Sequence, residues 1–131
     1  MRRIMSILKV FISQLLEFLN DLILLFPNDI NLKTSKKAVL TLQKINPKSL
    51  LVNWKYYVTD KYKKQIYEGD VDFFIKKDYE GELDDVEDKG AAMEAIEQLR
   101  PALLRIGDKN KQKASKYLIN LTKLSEIYVT F

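Results

Sequence analysis

The chain is 131 residues long, 47% hydrophobic and 31% charged, with a formal net charge of +4 and neither histidine nor cysteine. Disulfide frameworks, thiolate nucleophiles, Cys/His metal sites and every histidine-based general-base arrangement are therefore excluded. Nearly half the residues are apolar and only four are glycine, which predicts one ordered domain of a non-secreted kind.

Met1-Arg2-Arg3 and the apolar run from Ile4 to Phe26 look at first like an export signal or a membrane span. Lys9, Ser13, Glu17 and Asp21, four apart, instead form one polar stripe on a helix that is apolar elsewhere. Three charges inside the run argue against a transmembrane helix. The lack of a small-residue cleavage site argues against a signal peptide. The spacing predicts a core-packing helix over residues 1–26, with use as a docking arm left open. Its polar stripe is thin and not basic, which argues against binding to a membrane surface.

The residue before Pro27 is pushed out of the helical region, so this helix should end near Phe26. Asn28 or Asp29 can cap a second helix whose Leu32, Val39, Leu42 and Ile45 face one way. Asn46 stops that helix and suits the N-cap of the next, with Pro47 at its first position. Leu50, Leu51, Trp54, Tyr57 and Val58 then follow the spacing of a buried face. A pause is expected at Thr59-Asp60, with Tyr62 and Ile66 one turn apart beyond it.

Gly69 suits a helix terminus, and Asp70 can cap a short turn containing Val71, Phe73, Phe74 and Ile75. From Asp78 to Asp88 seven carboxylates stand without a base, and weak periodicity predicts an exposed acidic loop. The helical pattern returns through Ala92, Met93, Ile96, Leu99, Leu103 and Ile106, where Pro101 should kink or split it. Gly107 closes that run and Asp108 can cap the last helix. Its apolar face is Ala114, Tyr117, Leu118, Leu121, Leu124 and Tyr128, while Ile127 to Phe131 are also compatible with extended chain. The expected fold class is all-α: a single compact helical domain of five to seven helices with one acidic loop.

Charge is unevenly spread. Nine lysines face a single acid between Lys33 and Lys64, and Arg105, Lys109, Lys111, Lys113, Lys116 and Lys123 make the last third basic. These are either solvated helix faces or surfaces for acidic partners, including further copies of the chain. Lys55, Lys61, Lys63, Lys64, Lys109, Lys111 and Lys113 are the candidate contacts to a partner or to phosphates, with Tyr56 exposed among them. Lysine dominates over arginine and no reader motif occurs, so any nucleic-acid contact should be to the backbone and independent of sequence. Phe73, Phe74 and Tyr79 are a second candidate, an exposed partner anchor. The alternative is that both phenylalanines cover one end of the core.

Placing Gly81 at the glycine of an EF-hand register puts Asp78, Glu80 and Glu87 at ligand positions. The first position then falls on Lys76, where a cation repels the metal. Asp84 and Asp85 sit side by side in an exposed loop, without the burial that separates two carboxylate pKa values. No phosphate-binding glycine loop and no Gly-x-Ser-x-Gly elbow is present. The sequence predicts no catalytic residue, no metal site and no cofactor.

Asn46-Pro47 followed by Trp54-Lys55, and Asp70 with Phe73-Phe74 and Lys77-Asp78-Tyr79, resemble short proteins encoded by large DNA viruses of algae and protists. Tyr117, Asn120-Leu121, Leu124 and Tyr128 in the last helix extend the resemblance. It implies a viral origin and carries over no catalytic residues. It further implies a minor capsid or other virion component, located in the virion or the infected cytoplasm, with capsid or assembly subunits as partners. A sequence-independent nucleic-acid-binding protein is the alternative; a membrane partner is not expected.

Overall fold

A computed structural model describes residues 2–76 and 90–129, and all regular structure among them is helical. The fold is all-α, as its periodicity predicts. Helix α1 (Arg2–Leu25) is 24 residues long. It buries Phe11, Ile12, Leu15, Phe18, Leu19 and Leu22. That apolar stripe is wide enough to pack against α2, α3 and α8 together. No helix among the described residues is long and apolar enough to cross a membrane.

Helix α2 (Ile30–Ile45) starts at Asp29, whose Oδ1 accepts a hydrogen bond from the Leu32 N–H at 3.1 Å. Asp29 rather than Asn28 is therefore the cap. Leu32 and Val39 are buried, but Ile45 is 72% exposed. Six residues past Val39, it has rotated about 120° away from the buried line. Asn46 ends α2 through its N–H to Leu42 O. Its side chain caps nothing, and its carbonyl instead accepts from Ser49 Oγ at 2.8 Å. Pro47 opens α3 (Pro47–Trp54) as expected.

The pause at Thr59-Asp60 is a π-helical turn, Lys55–Thr59, leading straight into α4 (Asp60–Tyr67). The Asp60 N–H reaches back five residues to Lys55 O. Trp54, Val58, Tyr62 and Ile66 are all buried at four-residue intervals. In a regular α-helix each such step drifts about 40°, and the wider π turn takes up part of that drift. Gly69 follows with φ +79°, in the left-handed region that suits glycine. Asp70 Oδ1 then caps α5 (Val71–Lys76) by accepting from the Phe73 N–H at 3.0 Å. The expected acidic loop and its EF-hand register fall at 77–89, outside the described residues.

Helices α6 (Gly90–Glu97) and α7 (Leu99–Arg105) are separated at Gln98, so Pro101 splits the run. Lacking an N–H and crowding the carbonyl four residues earlier, it cannot continue the turn begun at Glu97. Helix α8 (Asp108–Val129) begins one residue earlier than expected. The Gly107 carbonyl accepts from the Asn110 and Lys111 N–H groups at 3.0 Å each, leaving Asp108 inside the first turn. The chain is helical through Val129, not extended from Ile127. At the centre of the core α3 touches α1, α2, α6 and α8, with Leu50, Leu51 and Trp54 fully buried.

Candidate interaction surface

Two sets of polar groups among the described residues organise this fold, one sealed in the core and one arrayed along α8. The sealed set begins at the π turn. Trp54 Nε1 donates to Thr122 Oγ1 at 3.3 Å, and Ser125 Oγ donates to Thr122 O at 2.7 Å. Thr59 Oγ1 lies 2.7 Å from Ser125 Oγ. Ser125 has one proton and spends it on Thr122 O, so Thr59 is the donor of that pair. Trp54, Thr59, Thr122 and Ser125 are all inaccessible to solvent. The chain of hydrogen bonds fastens α8 to the π turn and offers no access to a substrate.

The outer face of α8 is clasped along both flanks. On the α1 side, Tyr117 donates its hydroxyl to Asp21 Oδ2 at 2.6 Å, and Lys113 Nζ lies 3.1 Å from the same oxygen. Phe18 stacks on Tyr117 with ring centroids 4.9 Å apart. Further along, Asn120 Nδ2 donates to Gln14 Oε1 at 3.5 Å. On the opposite flank Tyr67 donates to Glu126, Lys63 lies 3.7 Å from Glu126, and Lys111 binds Asp72 at 2.9 Å.

These clasps set the titration of their members. The Tyr117 hydrogen bond holds the Asp21 carboxyl below its ordinary range, against the effect of burial and with help from Lys113. Burial and the Asp21 carboxylate together push the Tyr117 phenol up to about 12. Burial and Glu126 raise Tyr67 as well, and Asp72 raises Lys111.

Between α1 and α8 opens a cleft of about 170 Å³, walled by Phe18, Leu22, Leu25, Ile106 and Ala114. The Asp21–Tyr117–Lys113 cluster lines its polar edge. A carboxylate, a phenol and an amine beside an apolar cleft are a natural place to seek acid–base chemistry. Here the shifts run the other way. At neutral pH the aspartate is held ionised and the tyrosine protonated, so neither is poised to exchange a proton.

Of the seven candidate lysines, four are engaged with the chain's own acids: Lys55 with Asp60, Lys63 with Glu126, Lys111 with Asp72 and Lys113 with Asp21. Lys61 lies 5.9 Å over the Tyr57 ring. Lys64 and Lys109 are exposed and make no ion pair among the described residues. The candidates do not converge on one site, since Lys55 to Lys64 lie on the π turn and α4 and the others on α8. Lys116 and Lys123, outside that set, are exposed and equally unpaired among the described residues. Phe73 is 40% exposed and meets Tyr62 edge-on at 6.3 Å. The Phe74 side chain and all of Tyr79 lie outside the described residues.

No family model, curated protein or solved structure matches the chain. Its function has to be read from its own surface. Arg105 ties the end of α7 to the α1–α2 corner, pairing with Asp29 and lying 4.2 Å over the Phe26 ring. Around that corner stand unusually bare aliphatic side chains: Leu24 at 79%, Ile30 at 76% and Leu104 at 62% exposure. No cluster of three or more metal-ligating side chains occurs among the described residues.

Proposed function

We propose that this chain is a non-enzymatic structural and interaction protein, a small helical subunit that docks against larger acidic protein partners. The observation that carries the reading is the coexistence of bare aliphatic residues with lysines that make no ion pair among the described residues. Leu24 and Leu25 line one cleft with Asn110, the neighbour in sequence of Lys109, which is exposed and makes no ion pair among the described residues. A surface of that kind gains from burial against a partner bearing both apolar and acidic groups. A non-enzymatic reading is supported by the cluster at the α1–α8 cleft, where Asp21 is shifted down and Tyr117 up, both away from neutrality.

The finer assignment, a minor capsid or other component of a large viral particle, rests on the sequence resemblance alone. Its test is quantitative mass spectrometry of purified particles through successive salt washes. A fixed ratio to the major capsid subunit supports it; trace amounts removed by salt overturn it. Sequence-independent nucleic-acid binding is the second reading, favoured by Lys64, Lys109, Lys116 and Lys123. It predicts affinity for any duplex that falls steeply with salt, with one counterion released for roughly each lysine engaged. The exposed aliphatic residues favour a protein, because a phosphate backbone has no apolar group to cover them.

A further inference from the structure

Lys109, Lys116 and Lys123 are seven residues apart. Seven residues bring a helix almost back to the same azimuth, so the three lie along one ridge of α8 at intervals of about 10.5 Å. All three are exposed and make no ion pair among the described residues. Their isolation has a structural cause. Acids beside α8 are engaged on its flanks, Asp21 with Tyr117 and Lys113 on one side, Asp72 and Glu126 with Lys111 and Lys63 on the other, and Asp108 at its start lies 4.0 Å from Lys111. Lys116 borders the pocket that holds Asp70 and Asp72, but no described carboxylate comes within ion-pair distance of any of the three lysines.

We propose that this ridge and the adjoining α1–α8 cleft form one docking site for an acidic amphipathic helix of a protein partner, an inference that rests on the interaction reading above. A partner helix has the same seven-residue repeat, so carboxylates at heptad spacing meet all three lysines at once. Lys113 joins the two halves of the site: it is largely exposed and also lines the cleft. The cleft has apolar walls and room for one large apolar side chain carried on the adjoining flank of the incoming helix. A nucleic-acid backbone fits less well. It offers a charge about every 1.7 Å of duplex axis, which selects no 10.5 Å interval, and it has nothing apolar to place in the cleft.

The test uses the full chain and a labelled 21-residue helical peptide, with glutamates at three successive heptad positions and leucines on the adjacent flank. Binding is read by fluorescence anisotropy at about 0.15 M salt. The ridge variant is K109E/K116E/K123E. The control K33E/K37E/K44E makes the same change in net charge on α2, where those lysines are also exposed. Circular dichroism and Trp54 emission confirm that both variants fold.

The proposal expects saturable peptide binding that the ridge variant weakens by about tenfold or more and the α2 control by less than about threefold. It also expects a loss of about threefold or more when the peptide leucines become alanine, or when Leu24 at the cleft rim becomes aspartate. Equal losses in the two lysine variants, or no saturation by 1 mM peptide, overturn it. So does tighter binding of a 20-base-pair duplex that the ridge variant abolishes, which makes the ridge a phosphate contact. Continued association with particles after such a result leaves the interaction reading standing and removes only this site.

Discussion

The hydrogen-bonded line beneath the π turn makes a prediction that depends on its direction. Thr59 donates to Ser125, and Ser125 donates to the Thr122 carbonyl. Ser125→Ala therefore strands the Thr59 hydroxyl, a fully buried donor, and an unsatisfied buried donor costs about 1–3 kcal/mol. Thr59→Val preserves shape and leaves Ser125 with its own donor bond intact, so its cost is about 1 kcal/mol. In the double variant no hydroxyl is stranded. Its loss should fall short of the sum of the single losses by about 1 kcal/mol, a coupling that a double-mutant cycle isolates. Trp54 is the sole tryptophan, is fully buried and donates to Thr122 beside these groups, so its emission reports unfolding in urea. With a denaturant slope of about 2 kcal/mol/M, a loss of about 2 kcal/mol moves the midpoint by about 1 M. Strict additivity, or a Thr59→Val loss exceeding that of Ser125→Ala, would refute the direction and the account of α8 anchoring built on it.

Three further outcomes follow from single observations. Gly69→Ala should cost about 1 kcal/mol in the same denaturation assay through backbone strain alone. Its φ is +79°, and the nearest atom to an added Cβ, Ser115 Oγ, is 3.8 Å away. Gly107→Ala meets open space and no left-handed φ, but Gly107 is the N-cap of α8, so it should cost about 0.5–1 kcal/mol through the poorer capping of alanine. Arg105→Gln removes the Asp29 pair and the stack on Phe26, and should lower stability by about 1 kcal/mol because the side chain is nearly half exposed.

The Asp21–Tyr117 clasp predicts opposite behaviour at the two ends of the pH scale. Asp21 titrates below its ordinary 3.8 in the folded chain, so its contribution is present above that value and is lost as pH falls through the folded pKa. Tyr117 titrates at about 12 rather than 10, so its contribution is present below pH 10 and is lost as pH rises toward 12. In a spectrophotometric phenol titration Asp21→Asn should bring one tyrosine down toward 10. An unchanged titration would show that the clasp does not form in solution.

Much of the helical order was legible because prolines and glycines act on their immediate neighbours. Pro27, Pro47, Pro101 and Gly69 interrupt helices through sterics and missing donors that need no tertiary partner. What escaped depends on groups distant in sequence. Nothing local tells that Asn46 closes α2 without capping α3, or that the pause at Thr59 is a π turn held by Thr122 and Ser125. The charged surface divides the same way. Lysine density singled out Lys55, Lys63, Lys111 and Lys113, yet each meets a carboxylate, in three of the four cases one supplied by another helix. The heptad of Lys109, Lys116 and Lys123 was present in the sequence, but that it makes no ion pair among the described residues emerges only when α1, α4 and α5 are seen to absorb the neighbouring charges.

The most direct measurement of the central claim is lysine cross-linking mass spectrometry on the intact assembly in which the chain resides. An interaction protein that docks along α8 should give cross-links from Lys109, Lys116 and Lys123 to one or a few larger proteins at constant ratio, surviving nuclease treatment. Cross-links confined within the chain, or links to other proteins that vanish when nucleic acid is digested, would contradict it.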